Sequence, residues 1–298
     1  MNNKPEIVRL GTIDENIVES TPLVFKEKLW LFQYIRKEYH LNNTGDSYFR
    51  IISPEDGCCA SQFGQGLHLG SAFQDGDKLY AFGVDKWGGQ RIFMTESSDV
   101  GKWTEPALVF EDLEMGAHNT SVCKGRNGNY VMACEQDRPE DEVGIRFTIF
   151  FLESQDMRNW RRCAYAPPFS PEKYTACPAL RFVEGKYYLF VLEGSYETYF
   201  AEHLYRSDDL RTWEGSPFNP CLMPHRMDRH VANDSLSEEQ RQRISTALNI
   251  NTSDIDLCEY MGQTEIFYSW GNQRGTEFLA RARCKKTLAE FLKSWFPS

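Results

Sequence analysis

Short runs of alternating apolar and polar positions recur along the chain, each broken by a tight polar turn and followed by an aromatic-rich run. The pattern appears as LVFKEKLWLFQYI (23–35), SAFQDGDKLYAFGV (71–84), SVCKGRNGNYVMAC (121–134), LRFVEGKYYLFVLE (180–193) and LCEYMGQTEIFYSW (257–270). A period of two puts one face of each run inward, and the turns DGD, RNGN and EGK close hairpins. A second element follows three of the hairpins: MTESSDVGKWTEP (94–106), LESQDMRNWRR (152–162) and YRSDDLRTWEG (205–215). Each reads as a strand ending in Ser, an Asp turn, and a Trp opening the next strand. Asp99, Asp156 and Asp208 are thereby assigned to turns, and Trp103, Trp160 and Trp213 mark the period of a repeat.

One four-stranded sheet per repeat cannot bury both of its faces alone, whereas radial packing of the sheets buries them all. The expected fold is all-β, a five-bladed β-propeller forming a single domain over residues 1–298. Stacked sandwich sheets would supply strands but not the fixed order of hairpin, Ser-Asp turn and Trp. Two segments depart from the repeat. KTLAEFLKSWF (286–296) reads as a short C-terminal helix, which leaves the last blade one strand short. EIVRLGT (6–12) is expected to pair there and close the ring. The polar insert HRMDRHVANDSLSEEQRQRISTALN (225–249), before blade five, carries a helix-start signature at Ser235 or Ser237.

Composition narrows the partners. A net charge of −10 argues against a polyanion such as nucleic acid. Aromatic residues at 14% suit β structure and also a surface that stacks carbohydrate. No apolar run is long enough to span a bilayer, and MNNKPEIVRLGTIDEN lacks the apolar stretch of a signal peptide. The nine cysteines show no CxxC spacing, so they read as small hydrophobes in a reducing, cytoplasmic setting.

In a propeller the first strand of a blade starts on the face to which the second strand returns. Those ends therefore share one mouth of the central channel. They comprise Glu19 and Arg36 of blade one; His68, Asp85 and Trp87 of blade two; and His118, Asn119, Glu135, Asp137 and Arg138 of blade three. Blade four adds Tyr174, Thr175, Glu193 and Tyr196, and blade five adds Asn251, Ser253, Asp254, Trp270, Asn272, Gln273 and Arg274. Carboxylates, imidazoles and rings around one pit suit chemistry on a small carbohydrate. On this reading Glu19 or Asp254 is base or nucleophile, Glu193 the general acid and Asp85 an orienting partner. Arg36, His68, Trp87, His118, Asn119, Thr175, Trp270, Gln273 and Arg274 are the candidate substrate-binding residues. No cofactor and no metal-ligand set is assigned, although His68 and His118 leave room for a channel-bound water or divalent cation.

The hairpin VEGKYYLFVLE and the turn SDDLRTW resemble the propeller glycosidases of families 43, 32 and 68, with family 130 phosphorylases and family 117 enzymes nearby. The resemblance follows blade order over almost the whole chain and implies a glycoside hydrolase, exo-acting on a small oligosaccharide. In the family 43 type a carboxylate base opens blade one, a position that Glu19 matches. His68 and His118–Asn119 stand where acids open blades two and three. YTACPAL (174–180) is similar to the Glu-Cys-Pro motif of family 32, with Ala176 in place of the acid. The acid role then passes to Glu193, to Glu135 or to a histidine, and the family 117 likeness implies His118. Two other readings stand beside hydrolysis. A phosphorylase would hold phosphate with Arg36, Arg138 and Arg274, and a non-catalytic sugar-binding propeller would need no acid at Ala176.

Overall fold

The computed structural model describes residues 4–37 and 45–297. An N-terminal strand, β1 (Val8–Glu15), precedes the first blade. Blade one contains β2 (Ser20–Phe25), β3 (Lys28–Ile35), β4 (Tyr48–Ile52) and β5 (Cys59–Phe63). Blade two contains β6 (His68–Asp75), β7 (Lys78–Val84), β8 (Arg91–Ser97) and β9 (Ala107–Glu111). Blade three runs through β10 (Ala117–Lys124), β11 (Tyr130–Gln136), a single helical turn α1 (Glu140–Val143), β12 (Thr148–Ser154) and β13 (Arg161–Arg162). Blade four is β14 (Ala176–Val183), β15 (Lys186–Gly194), β16 (Phe200–Ser207) and β17 (Glu214–Gly215). The insert helix α2 (Glu238–Thr246) leads to blade five, β18 (Asn251–Tyr260), β19 (Gln263–Gly271) and β20 (Glu277–Cys284), before α3 (Leu288–Ser294). As expected, β1 pairs antiparallel with β20 and supplies the fourth strand of blade five. Blades four and five share a single parallel bridge, Phe200 to Asn251.

The first strand of every blade touches the first strand of the next, and β18 returns to β2, so the ring is closed. Polar side chains stitch it. The Ala72 amide donates to Thr21 Oγ1 at 3.4 Å, and Ser71 Oγ lies 2.9 Å from Thr120 Oγ1. The Leu180 amide donates to Ser121 Oγ at 2.9 Å. Arg181 then bonds the Asp256 carboxylate and the Leu257 carbonyl of β18, and Thr21 donates to Asp256. Small hydroxyls allow the five strands to approach the axis while keeping their backbone groups satisfied.

The three periodic tryptophans wedge between blades. Trp103 of blade two stacks on Phe63 of blade one, with ring centroids 3.9 Å apart. Trp160 meets Phe82 of blade two edge-on at 5.8 Å, and Trp213 stacks on Phe151 of blade three at 5.7 Å. Each is aimed by the preceding turn, in which an Asp side chain accepts two backbone N–H groups. Asp99 caps Gly101 and Lys102, and Asp156 caps Arg158 and Asn159. In blade four the capping residue is Asp209, not Asp208 as read from the sequence. Asp209 accepts from Arg211 and Thr212, whereas Asp208 reaches Lys186 at 2.8 Å. The geometry follows the spacing Ser-x-Asp, and of two adjacent aspartates only the second satisfies it.

The insert is more than a solvated helix. Ser237 and Gln240 form a reciprocal capping box at the start of α2, and Ile244 is fully buried against blade five. Ahead of α2, the fully buried Asp228 accepts from Arg9 at 2.5 Å, Tyr268 Oη at 2.8 Å and Asn249 Nδ2 at 2.8 Å. Thr12 is clasped on both sides, its amide donating to His230 O at 2.7 Å and its carbonyl accepting from Ala232 at 2.8 Å. The insert therefore clamps β1 onto the last blade.

Candidate active site

A cavity of about 510 Å³ opens at the mouth where the first strands begin. Its floor carries Glu19, Glu135 and Asp254, contributed by blades one, three and five. Below them the channel narrows to about 30 Å³. Its wall is a continuous edge-to-face series of rings: Trp87 to His118 at 6.3 Å, His118 to Phe147 at 4.8 Å, Phe147 to Tyr174 at 5.9 Å, Tyr174 to Phe200 at 5.8 Å, and Phe200 to Tyr196 at 5.1 Å.

The backbone turns Asp254 and two other side chains toward the cavity by a shared device. The pairing of β6, β14 and β18 with their second strands slips near the mouth, at His68/Ser71, Ala176/Ala179 and Ser253/Asp256. Within each slip one non-glycine residue is left-handed: Leu69 at φ +48°, Cys177 at +51° and Asp254 at +53°. Such a residue costs on the order of 1–2 kcal/mol. Here the bulge turns each of the three side chains into the cavity.

The carboxylates have different surroundings. Glu19 accepts from Arg36 Nη1 at 2.9 Å, both side chains being buried. The Arg36 guanidinium in turn lies 5.2 Å from the Tyr34 ring and 5.8 Å from that of Trp87. Glu135 Oε2 accepts from the Cys177 amide at 2.8 Å and Asn119 Nδ2 at 3.0 Å, and burial raises its pKa. Asp254 is pushed up to about 8, by burial first and then by the negative charges of Glu19 and Glu135. The floor therefore joins Glu19, paired with Arg36, to an Asp254 carboxyl whose pKa is raised by burial and by its acidic neighbours.

Other residues expected at the mouth divide in two. His118, Asn119, Trp87, Tyr174, Tyr196 and Gln273 line the cavity with Glu19 and Asp254. His118 Nε2 lies 3.5 Å from Asp137 Oδ2, and the Gln273 amide donates to Glu277 Oε1 at 2.7 Å. The remaining candidates do not line it. Glu193 turns to Lys173 Nζ at 2.6 Å and Tyr205 Oη at 2.5 Å. Trp270 is fully buried, stacked on Phe278 and donating to Thr12 Oγ1 at 2.8 Å. Thr175 is held against the Phe147 carbonyl, and Arg274 is exposed over the Tyr196 ring at 4.6 Å. Asp85 sits behind the wall, where its charge opposes the burial that lowers the His68 pKa. His68 places Nδ1 2.8 Å from Tyr34 Oη and Nε2 3.4 Å from Ser47 Oγ. Both ring nitrogens are thus engaged by hydroxyls. Among the described residues no three His, Cys, Asp or Glu side chains are grouped to hold a metal ion.

Two buried carboxyls that act on cavity residues escaped the sequence reading. Glu277 accepts from the Gln273 amide and from Asn251 Nδ2 at 3.3 Å, and burial pushes it up to about 7. Glu202 is fully buried, accepts from the Ile255 amide at 3.2 Å, and is raised by burial and by the Asp254 charge. Both sit near the starts of third strands as acids within otherwise apolar runs, and that pattern was the available signal.

No family model and no curated protein matches this sequence. Solved structures do match. A thermostable family-43 glycoside hydrolase superposes with a TM-score of 0.63 at 15% identity, covering 90% of this chain and 89% of its own. An endo-1,4-beta-xylanase from Bacteroides thetaiotaomicron gives 0.56 at 11% identity, covering 92% of each chain. A xylan beta-1,4-xylosidase from Bacillus halodurans gives 0.58 at 13% identity; 91% of this chain aligns with 53% of that one. The fold is that of the family 43 glycosidase propellers.

Proposed function

We propose that this protein is a glycoside hydrolase that releases a sugar from the non-reducing end of a small oligosaccharide. The observation that carries the reading is the convergence of Glu19, Glu135 and Asp254, from three blades, beneath an aromatic wall in the cavity of a glycosidase-like propeller. Glu193 is tied to Lys173 and Tyr205, so the general-acid role passes to Asp254, whose carboxyl keeps its proton at neutral pH. Asp254 donates that proton to the glycosidic oxygen as the bond to the anomeric carbon breaks. Glu19 serves as the nucleophile, or as the base that takes a proton from the attacking water, and Glu135 fixes the Cys177 bulge and Asn119.

The phosphorylase reading has less support. Arg36 is engaged by Glu19, Arg138 by the Gly88 carbonyl at 2.5 Å, and Arg274 by the Tyr196 ring. A non-catalytic sugar-binding propeller is favoured by one observation: Ala176 lines the cavity where the family resemblance places an acid.

Release of nitrophenol from a panel of aryl xylosides, arabinosides, glucosides and galactosides, with and without phosphate, tests these readings. Turnover without phosphate, lost on Glu19→Gln, lowered on Asp254→Asn much more for an alkyl than for a nitrophenyl glycoside, and kept on Glu193→Gln, supports the hydrolase. Sugar-induced thermal stabilisation without product supports the binding protein.

A further inference from the structure

The aromatic wall does not stop inside the cavity. Its last ring, Tyr196, lines the cavity and is also 54% exposed at the rim. Exposed tyrosines ordinarily swing freely, but this one is fixed on three sides. Its edge meets Phe200 at an interplanar angle of 79°. The Arg274 guanidinium covers it 4.6 Å from the ring centroid. Its hydroxyl donates to the Gln273 carbonyl at 3.2 Å, across the boundary between blades four and five.

The supports are themselves held. The Arg274 amide donates to Asn272 Oδ1 at 2.8 Å. The turn carrying Tyr196 is closed by Thr198 N–H to the Ser195 carbonyl at 3.3 Å. It is also pinched at Gly194, where φ is +148° and any Cβ would lie 2.2 Å from the Tyr199 carbonyl oxygen. A rigid, amphipathic ring facing water has little freedom left to lose when a ligand covers it.

We propose that Tyr196, backed by Arg274, is an outer subsite that stacks the second unit of an oligosaccharide whose terminal unit fills the enclosed cavity. The inference rests on the reading of that cavity as a sugar site and adds the extent of its ligand. The ligand class is an uncharged furanose or pyranose that presents a C–H face to the ring. The enclosed rings from Trp87 to Phe200 hold the first unit, and the chain leaves over Tyr196.

Titration calorimetry with xylo-, arabino- and cello-oligosaccharides of one to four units tests this in chains that all carry Asp254→Asn, so that no unit is released during the titration: one wild type at position 196, one with Tyr196→Ala and one with Tyr196→Phe. In a series that binds, affinity rises about tenfold from one unit to two, and a third unit adds little. Tyr196→Ala brings the ratio of two-unit to one-unit affinity close to one, while Tyr196→Phe retains most of the increment. Equal two-unit affinity in the chain that keeps Tyr196 and the one with Tyr196→Ala overturns the subsite while leaving the cavity reading intact. Absence of binding by every series in the chain that keeps Tyr196 overturns both.

Discussion

Arg36 Nη1 donates to Glu19 Oε2 at 2.9 Å, joining the end of the second strand of blade one to the residue that opens its first. The two side chains are 4% and 7% exposed, so the ion pair is shut off from water on the floor of the cavity. Removing the arginine alone strands a buried carboxylate. Arg36→Met is expected to lower unfolding free energy by about 3–5 kcal/mol, measured by urea denaturation at pH 7. Adding Glu19→Gln to that variant restores most of the stability and none of the activity, because the charge is gone but so is the base.

Asp254 couples activity to pH. As a proton donor it needs its proton, so turnover falls as pH rises through about 8. Asp254→Asn is expected to lower kcat by about 10²–10⁴-fold, with less effect for substrates whose leaving group needs no protonation. Rates on nitrophenyl and alkyl glycosides between pH 5 and 10 separate these outcomes.

The same group leaves a mark on stability. Its pKa is raised in the folded chain from 3.8, so between there and about 8 the folded state holds a proton that the unfolded state has released. Stability contributed by this group is full below the lower value and declines as pH rises through that window. Asp254→Asn flattens the decline, and denaturation midpoints at pH 5 and pH 9 read the difference.

Trp160 is buried between blades two and three, edge-on to Phe82, with its indole N–H donating to the Met157 carbonyl at 2.7 Å. Trp160→Ala removes the wedge and leaves a cavity no neighbouring side chain fills. A loss of about 3–5 kcal/mol is expected, read by chemical denaturation.

Gly11 holds φ at +116°, and a Cβ there would lie 2.3 Å from the His230 carbonyl oxygen. Gly11→Ala must push the insert away from β1, at a cost above ~1 kcal/mol. Hydrogen exchange at the Thr12 amide, which donates to that carbonyl, should accelerate more than exchange in β7.

The repeat was legible because alternating apolar runs and Gly-Asp turns specify hairpins locally, and the tryptophans fix the blade period. Ring closure by β1 followed from a missing strand. What the sequence carried poorly was the facing of side chains at strand ends. Glu193 and Trp270 sit at the ends of second strands as expected, yet one step along a strand reverses the face. Glu193 therefore meets Tyr205 while Gly194 lines the cavity. Trp270 points into the joint with Thr12, and it is Gln273 that lines the pit. Bulges that turn Leu69, Cys177 and Asp254 inward shift the count once more, and no pattern of apolar positions encodes them. Glu202 and Glu277 went unread for a different reason: an acid in an apolar run looks like an exposed face until its backbone donors are known.

The pairing of Val8 with Arg283 means that β1 is made before all five blades and waits for β20. Until then β1 has a free edge and blade five is incomplete, while blades one to four can already assemble from neighbouring sequence. A chain that stalls before β20 would carry four finished blades and an open ring, with three carboxyl groups never brought face to face. The pit proposed as the sugar site is thus complete only once β1 has met β20.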